Sequence, residues 1–205
     1  MKKLIFILAV VLLVMTANSC APKFNAEDTD NIYAQIVLSD NRKINLRLDY
    51  DSAPKTVTNF IELVQKGYYK NTIFHRVIDD FMIQGGGYTM SNGNVKEKSG
   101  AKEIYGEFSS NGWKKNKIKH VTGVISMARR GNNNNSASSE FFICAAVCAH
   151  LDGDYAAFGK TTDTDSKKVV LDISSQKTYE YSAGFANMPV KVVKIRTINL
   201  SNSKF

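Results

Sequence analysis

The stretch over residues 74–87 constrains the fold of this 205-residue chain more than any other segment. It places one arginine among bulky apolar residues and ends in three consecutive glycines. Because side chains alternate across a strand, we expect Phe74, Arg76 and Ile78 to share one face and His75 to lie on the other. The glycines let the backbone turn sharply or leave the sheet. The segment therefore predicts two short strands with an arginine on an apolar surface.

An arginine that points the same way as large apolar side chains has two explanations. Its guanidinium group is costly to bury unless its five N–H donors find acceptors. Arg76 is therefore either a structural arginine with partners inside the protein or a donor that awaits a ligand acceptor. Both explanations stay open on this segment alone.

The N-terminus has the pattern of an export signal. Two lysines precede an unbroken apolar run over residues 4–15, which is too short to span a bilayer comfortably. The small residues before Cys20 resemble the lipobox of bacterial lipoproteins, although Ala17 stands where that pattern favours Leu. The alternative is ordinary secretion with an incidental free cysteine. We expect a lipid-anchored protein of the bacterial cell envelope with three parts: a signal peptide over 1–19 cleaved before Cys20, a polar tether over 20–30 and a folded domain over 31–205.

The composition is that of an ordinary globular protein, with 43% hydrophobic and 22% charged residues. Cleavage before Cys20 removes two lysines and no acid, so the formal net charge falls from +8 to +6. Part of the excess lies in the run over residues 114–119, which contains no aromatic residue. We interpret this run as a solvated surface and expect no nucleic-acid partner.

Two further cysteines, Cys144 and Cys148, lie four residues apart in an apolar run with no His or Cys cluster nearby. That spacing is not a zinc signature, so we expect no metal site. The pattern favours two buried thiols. A disulfide in an oxidising compartment is the alternative, and it requires the segment to bend.

Periodicity divides the mature chain into short strands and two helices. The helix over residues 52–67 has Ser52 or Asp51 as its cap and Gly67 at its end. Residues 88–120 are loop-rich. The remaining elements are strands over 32–38, 43–48, 74–78, 81–84, 123–128, 140–144 and 190–198, a turn over 151–155 that leads into 156–159, and a second short helix over 165–174.

Four blocks then stand in a recognisable order: residues 74–86, 123–128, 141–143 and 151–160. Together with the N-terminal hairpin and helix they resemble the cyclophilins, a family of peptidyl-prolyl cis-trans isomerases, over residues 31–200. The resemblance implies a mainly β fold: a closed eight-stranded antiparallel barrel capped by two helices. It also implies an enzyme that needs no cofactor or metal, that acts on X-Pro bonds and that is a monomer.

The resemblance also assigns roles to individual residues. Arg76 is the expected catalytic donor, and Gln84 is expected to orient it and to bond the substrate backbone. Ala128 and Arg129 are expected to flank the residue before proline, and His75 neighbours the site. The expected lining of the proline pocket is Phe81, Met82, Phe142 and Leu151.

Two positions at the pocket rim depart from the family pattern. His150 stands where the family commonly has Trp or another aromatic residue, which implies weakened cyclosporin binding more than weakened catalysis. Tyr155 stands where the family usually has His, and it keeps a ring with a polar tip. Both residues are expected to contact substrate.

The third departure is Glu140, which stands where the family has Gln, after a loop about two residues longer than usual. A carboxylate accepts hydrogen bonds and cannot donate them. Glu140 is therefore expected either to hold Arg76 in an ion pair and weaken its action, or to pair with Arg129 or Arg130 and leave Arg76 free. Both alternatives stay open, and Glu140 counts among the expected substrate-binding residues.

These expectations define one leading function and one rival. The leading hypothesis is a lipid-anchored prolyl isomerase that acts on unfolded or extended proline-containing segments of exported proteins. The rival is a catalytically weak peptide-binding module or chaperone with the same fold. The intact Arg76 favours the first. Arg129 and Arg130, which stand where the family has Asn and Ala, and Glu140 leave room for the second.

Overall fold

The computed structural model describes residues 24–205, so the expected signal peptide and Cys20 lie outside the described residues. In these 182 residues the chain forms short strands, two α-helices and two 3₁₀ turns. The elements in chain order are β1 Tyr33–Leu38, β2 Lys43–Leu48, α1 Pro54–Gln65, β3 Thr72–Ile78, β4 Met82–Ser91, β5 Asn94–Glu97, the turn Ser109–Asn111, β6 Val124–Met127, β7 Phe141–Cys144, the turn Ala149–Leu151, β8 Ala157–Thr161, α2 Thr164–Ser174, β9 Thr178–Tyr179, β10 Met188–Pro189 and β11 Val193–Ser201.

Eight of the strands close into a ring. Their hydrogen-bonded order is β3-β11-β1-β2-β8-β6-β7-β4, and β4 pairs back onto β3. All of these pairings are antiparallel. β5 forms a hairpin with β4 outside the ring, and β9 and β10 form a separate two-stranded sheet. The closed eight-stranded barrel with two helices is the fold that the sequence predicts.

The barrel interior is a single apolar core to which both helices contribute. Helix α1 buries Phe60 among the rings of Tyr69, Phe141 and Phe158, with centroids 5.2–6.0 Å apart. Helix α2 buries Val170 and Ile173 in the same core. Burial of these side chains ties the helices to the barrel.

The N-terminus of α1 is capped differently from the sequence prediction. The residue before the helix is Ala53, and neither Ser52 nor Asp51 caps it. Instead the carboxylate of Glu107, which is fully buried, accepts from the backbone N–H of Lys55 at 3.0 Å and of Thr56 at 2.8 Å. The cap prediction is wrong because the capping carboxylate comes from a distant part of the chain.

The expected alternation along β3 is also interrupted. Its pairing with β4 shifts register between Phe74 and Arg76. Phe74 and Val77 both enter the barrel core, whereas Ile78 packs against a second apolar cluster outside it. The expectation that Phe74 shares a face with Arg76 and Ile78 is therefore wrong. The register shift is what lets a core strand present an arginine to the outside.

The sequence suggested that the backbone turns sharply or leaves the sheet at the glycines 85–87. Instead β4 continues through them to Ser91. A Cβ atom on Gly85 would lie 2.7 Å from the carbonyl oxygen of Ile73, and Gly86 has a φ of +94°. These glycines therefore permit close contact of β4 with β3 and a left-handed backbone within the strand. The loop-rich segment that follows also contains β5.

The first described residues are docked on the domain. Phe24 packs against the barrel core. The backbone N–H of Asn25 donates to Asn202 Oδ1 at 2.6 Å, and Asn202 Nδ2 donates to the Asn25 carbonyl at 2.9 Å. The segment expected to be a tether is thus in contact with the domain from residue 24 onward. Within residues 24–205, none of the helices has the length and apolar character required to cross a membrane.

Candidate active site

A cavity of about 140 Å³ opens on the outer surface of the barrel, where β3, β4, β7 and β6 lie side by side. A larger cavity of about 500 Å³ lies elsewhere, at β2 and β8, and none of the residues predicted for the site lines it. The smaller cavity is the candidate site because the predicted residues converge there. Its lining residues are all ones that the sequence predicts: Arg76, Phe81, Met82, Gln84, Ala128, Arg129, Phe142, Leu151 and Tyr155.

The floor of the cavity is a small apolar cluster, separate from the barrel core. Cys144 and Cys148 belong to it as buried free thiols, which the sequence pattern favours. Burial raises the pKa of both thiols, which makes them packing groups rather than nucleophiles. The members of the cluster are Met82, Phe142, Cys144, Cys148 and Leu151, with Ile78, Phe81, Ala128 and Tyr155 packed against them.

Arg76 lies partly buried at the edge of this cavity. Its Nη1 donates to Gln84 Oε1 at 3.3 Å, and within residues 24–205 no carboxylate lies within ion-pair distance of it. Burial lowers the pKa of Arg76, but a guanidinium stays charged at neutral pH. Most of its N–H donors are therefore free to meet a ligand. The structure favours the explanation that Arg76 is a donor for a ligand acceptor over that of a structural arginine with internal partners.

Glu140 does not pair with Arg76. Its Oε2 accepts from Gln84 Nε2 at 2.8 Å and lies 3.4 Å from His75 Nε2. Because Gln84 uses its oxygen for Arg76 and its amide N–H for an acceptor-only carboxylate, its two neighbours fix the orientation of its amide. Burial raises the pKa of Glu140. The expectation that Glu140 holds Arg76 in an ion pair is wrong.

The two arginines of the following loop do not pair with Glu140 either. Arg130 forms its ion pair with Glu103 at 2.5 Å. Arg129 Nε donates to the Asp154 carbonyl at 2.9 Å, and its guanidinium lies 4.7 Å from the centroid of the Tyr155 ring. The pairing of Glu140 with Arg129 or Arg130 is therefore wrong, because the loop turns both guanidinium groups toward other partners, whereas the expectation that Arg76 is left free of Glu140 is confirmed.

His75 lies beside Glu140 and does not line the cavity. Its ring packs edge-on against Tyr88 at 4.7 Å and Phe185 at 5.8 Å, and only 5% of the residue is exposed. Burial, with the nearby charge of Arg76, lowers the pKa of His75 to about 4. The imidazole is therefore neutral at neutral pH. Phe185 belongs to the segment between β9 and β10, for which the sequence pattern offers no signal.

The rim of the cavity carries the two departures expected there. The His150 ring lies 5.4 Å from Phe81, tilted by 31°. The Tyr155 ring meets Phe142 edge-on at 5.6 Å. Both residues therefore contact the pocket floor or wall, as expected from their positions in the sequence.

His120 packs behind the cavity floor, and its side chain does not line the cavity. Its ring stacks on Phe142 at 5.9 Å and 17°. Its Nδ1 lies 3.1 Å from Asp152 Oδ1, and its Nε2 lies 3.1 Å from Ser126 Oγ. Burial lowers the pKa of His120, and both ring nitrogens are held by these contacts. In residues 24–205, no group of three or more His, Cys, Asp or Glu side chains is placed to hold a metal ion.

A barrel of this topology with an arginine beside an external apolar pocket defines a class of prolyl-peptide enzymes, and comparison with known proteins agrees. The family described as cyclophilin type peptidyl-prolyl cis-trans isomerase/CLD matches residues 33–200. Peptidyl-prolyl cis-trans isomerase A of Dickeya dadantii is 34% identical over 95% of this chain and 96% of its own. Peptidyl-prolyl cis-trans isomerase cypE of Dictyostelium discoideum is 42% identical over 66% of this chain and 80% of its own.

A solved structure agrees with these relatives. The crystal structure of a cyclophilin-type peptidyl-prolyl cis-trans isomerase of Cryptosporidium parvum, in the presence of the dipeptide Ala-Pro, matches with a TM-score of 0.66 and 26% identity. It covers 82% of this chain and 98% of its own. The chain belongs to the cyclophilin family, and it is a peptidyl-prolyl cis-trans isomerase.

Proposed function

We propose that this cyclophilin accelerates X-Pro isomerisation in unfolded or extended segments of exported proteins, and that a lipid on Cys20 holds it at the bacterial cell envelope. The observation that carries the catalytic part is the position of Arg76. It lies at the edge of an apolar cavity and, within residues 24–205, has no carboxylate partner. The related Cryptosporidium enzyme was crystallised in the presence of Ala-Pro, which supports a proline-containing peptide as the ligand.

The chemistry requires only that the C–N bond before proline lose double-bond character. That bond isomerises over a barrier of about 20 kcal/mol because of amide resonance. An Arg76 N–H aimed at the proline nitrogen localises the nitrogen lone pair and lowers the barrier, and each reduction of about 1.4 kcal/mol raises the rate tenfold. Gln84 holds Arg76 in position through its Oε1 contact.

The other cavity residues bind and position the substrate. Met82, Phe142 and Leu151 form an apolar floor that holds the proline ring. The backbone of Ala128 and Arg129, at the end of β6, flanks the residue before proline. With the ring held, the carbonyl side of the X-Pro bond rotates past Arg76.

The catalytic proposal is tested by substituting the arginine. The full chain, purified in detergent, should accelerate isomerisation of a prolyl peptide, and Arg76→Ala should lower kcat/KM by about a hundredfold. Loss of a single donor to a developing charge has an effect of that order. Arg196→Ala, on the exposed side of β11, is the matched control and should keep the wild-type rate. A rate equal to the spontaneous one, unchanged in Arg76→Ala, would refute the enzyme.

One observation favours the enzyme over the rival, a catalytically weak peptide-binding module or chaperone. Glu140 accepts from Gln84 and does not hold Arg76 in an ion pair. His150 at the rim is expected to weaken cyclosporin binding while proline binding continues. We expect the domain to act as a monomer.

The envelope location rests on the N-terminal pattern: a basic start, a short apolar run and a cysteine after small residues. We expect Cys20 to be the first residue of the mature protein and to carry acyl chains, because two or more chains give stable membrane attachment. Mass spectrometry of the N-terminal peptide from the membrane fraction checks this. Cys20→Ser should release the protein from that fraction. An unmodified Cys20 in native protein would contradict the anchor.

A further inference from the structure

Glu140 lies on the same face of the barrel as the proline pocket. It directly precedes β7 and lies two residues before Phe142, so strand alternation points the two side chains the same way, about 7 Å apart. The backbone N–H of Ala128 donates to the Glu140 carbonyl at 2.9 Å, which extends the β6–β7 pairing to this position. A peptide that runs from the pocket past Arg76 and Gln84 therefore reaches Glu140 about two residues from its proline.

The Glu140 carboxylate is accessible to solvent, and within residues 24–205 it has no charged partner. Its side chain is 27% exposed. Within residues 24–205 its single ion-pair contact is His75, which is neutral at neutral pH because its pKa is about 4. No hydrogen bond to Glu140 Oε1 forms within the described chain, and this oxygen faces Gly87, where a Cβ would lie 2.7 Å away.

The surroundings add negative charge, and the Gln84 side chain lies between Glu140 and the guanidinium of Arg76. Glu97, on β5, is close enough that its charge acts on the pKa of Glu140 in the same direction as burial does. Lys98, the next residue, donates from Nζ to the Lys70 carbonyl at 3.0 Å and lies 5.2 Å from the centroid of the Tyr68 ring. This corner of the site thus offers an acceptor for a positive group, and within residues 24–205 no Lys or Arg lies within ion-pair distance of Glu140.

We propose that Glu140 makes this isomerase select X-Pro segments that carry a Lys or Arg within the two residues before X. The basic side chain reaches Glu140 Oε1 while the proline ring occupies the apolar pocket and Arg76 acts on the X-Pro bond. The N-terminal side follows from Ala128, which flanks the residue before proline and pairs with Glu140. This specificity rests on the isomerase activity of the site.

The test compares peptides that differ in one charge. The full chain in detergent is assayed by NMR exchange on peptides with Lys, its neutral isostere norleucine, or Glu in the position before X. For a single, partly exposed ion pair we expect kcat/KM for Lys to exceed that for norleucine by about fivefold at low salt, and the Glu peptide to be poorer than both. Moving the Lys to the second residue after proline should abolish the advantage. Raising NaCl to 0.5 M should reduce it, since salt screens exposed pairs.

Glu140→Gln, which keeps the shape and removes the charge, should bring the Lys-to-norleucine ratio to about one. Glu62→Gln removes a carboxylate on the exposed side of α1 and should leave the ratio unchanged. Equal wild-type rates for Lys and norleucine peptides, both above the spontaneous rate, overturn the proposal and leave the isomerase standing. A ratio that survives in Glu140→Gln overturns it as well. If Glu140→Gln does not fold, the salt series on the wild-type protein still tests the proposal.

Discussion

At the scale of single residues, the neighbours of Arg76, the proposed catalytic donor, leave its guanidinium without a carboxylate partner within residues 24–205. His75 is buried against Tyr88 and Phe185 and is neutral, with a pKa of about 4. It lies against Glu140 without neutralising it. The donors of Arg76 therefore stay available to a ligand, because the Glu140 carboxylate is engaged by the Gln84 amide and by the uncharged His75 ring.

The buried neutral imidazole predicts a pH dependence of stability. Histidine in the unfolded chain has a pKa near 6.5, whereas folded His75 has one of about 4, so between these values the unfolded state binds more protons. The contribution of neutral His75 to the free energy of unfolding is complete above about pH 6.5. It falls as the pH falls toward 4 and changes no further below that. Between pH 7.5 and 5.0 the wild type should lose about 2 kcal/mol more of unfolding free energy than His75→Phe.

Urea unfolding at the two pH values measures this difference. Glu140 titrates in the opposite sense, because its folded pKa is raised and it binds protons more readily in the folded state. The comparison with His75→Phe separates the two groups, since Glu140 is present in both proteins. Parallel pH profiles of the unfolding free energy for wild type and His75→Phe would contradict the assignment of a neutral His75 in the folded state.

At the scale of elements, the first helix depends on a carboxylate far from it in sequence. Glu107 accepts from two backbone N–H groups at the start of α1 and from the Thr56 hydroxyl at 2.8 Å. The first N–H groups of a helix have no partner within the helix, and leaving them buried without one is costly. This one side chain therefore ties the long segment before β6 to α1.

Removing this cap should destabilise the protein strongly. We expect Glu107→Ala to lower the free energy of unfolding by about 3 kcal/mol, the sum of a lost cap and of buried donors left unsatisfied. Ser52→Ala and Asp51→Ala are the matched controls and should each change stability by less than about 0.5 kcal/mol, because neither side chain caps the helix. Thermal or urea unfolding compares the three variants. A large loss in Ser52→Ala with none in Glu107→Ala would reverse the assignment.

Strand periodicity predicted most elements but missed the register shift at Phe74 and Arg76. Alternation indicates which residues face together only while the pairing is regular, and one extra residue in a strand reverses the faces beyond it. Likewise, Gly85 and its neighbours signal close backbone approach as readily as a turn. Local pattern does not distinguish these outcomes, because the partner strand decides between them.

At the scale of the whole molecule, the family resemblance that four ordered sequence blocks carry predicted the barrel and the residues that line the cavity. The wall comes from β3, β4 and β7 and from residues close to β4, β6 and β8, so the order of the blocks along the chain follows the order of these elements. The partners of Glu140 could not be predicted, since they depend on where the loop over residues 129–139 turns its arginines. The contact of His75 with Phe185 could not be predicted either, because it joins segments that no local sequence pattern relates.

The docking of Phe24 and Asn25 on the domain has a consequence for where the enzyme works. Cys20 precedes Phe24 by four residues, a reach of at most about 14 Å. A domain of this size is about 40 Å across. If Cys20 is acylated, the active site stays within roughly 50 Å of the bilayer. Its clients are then polypeptides still near the membrane surface, such as chains just emerging from it, and proteins that have diffused away are out of range.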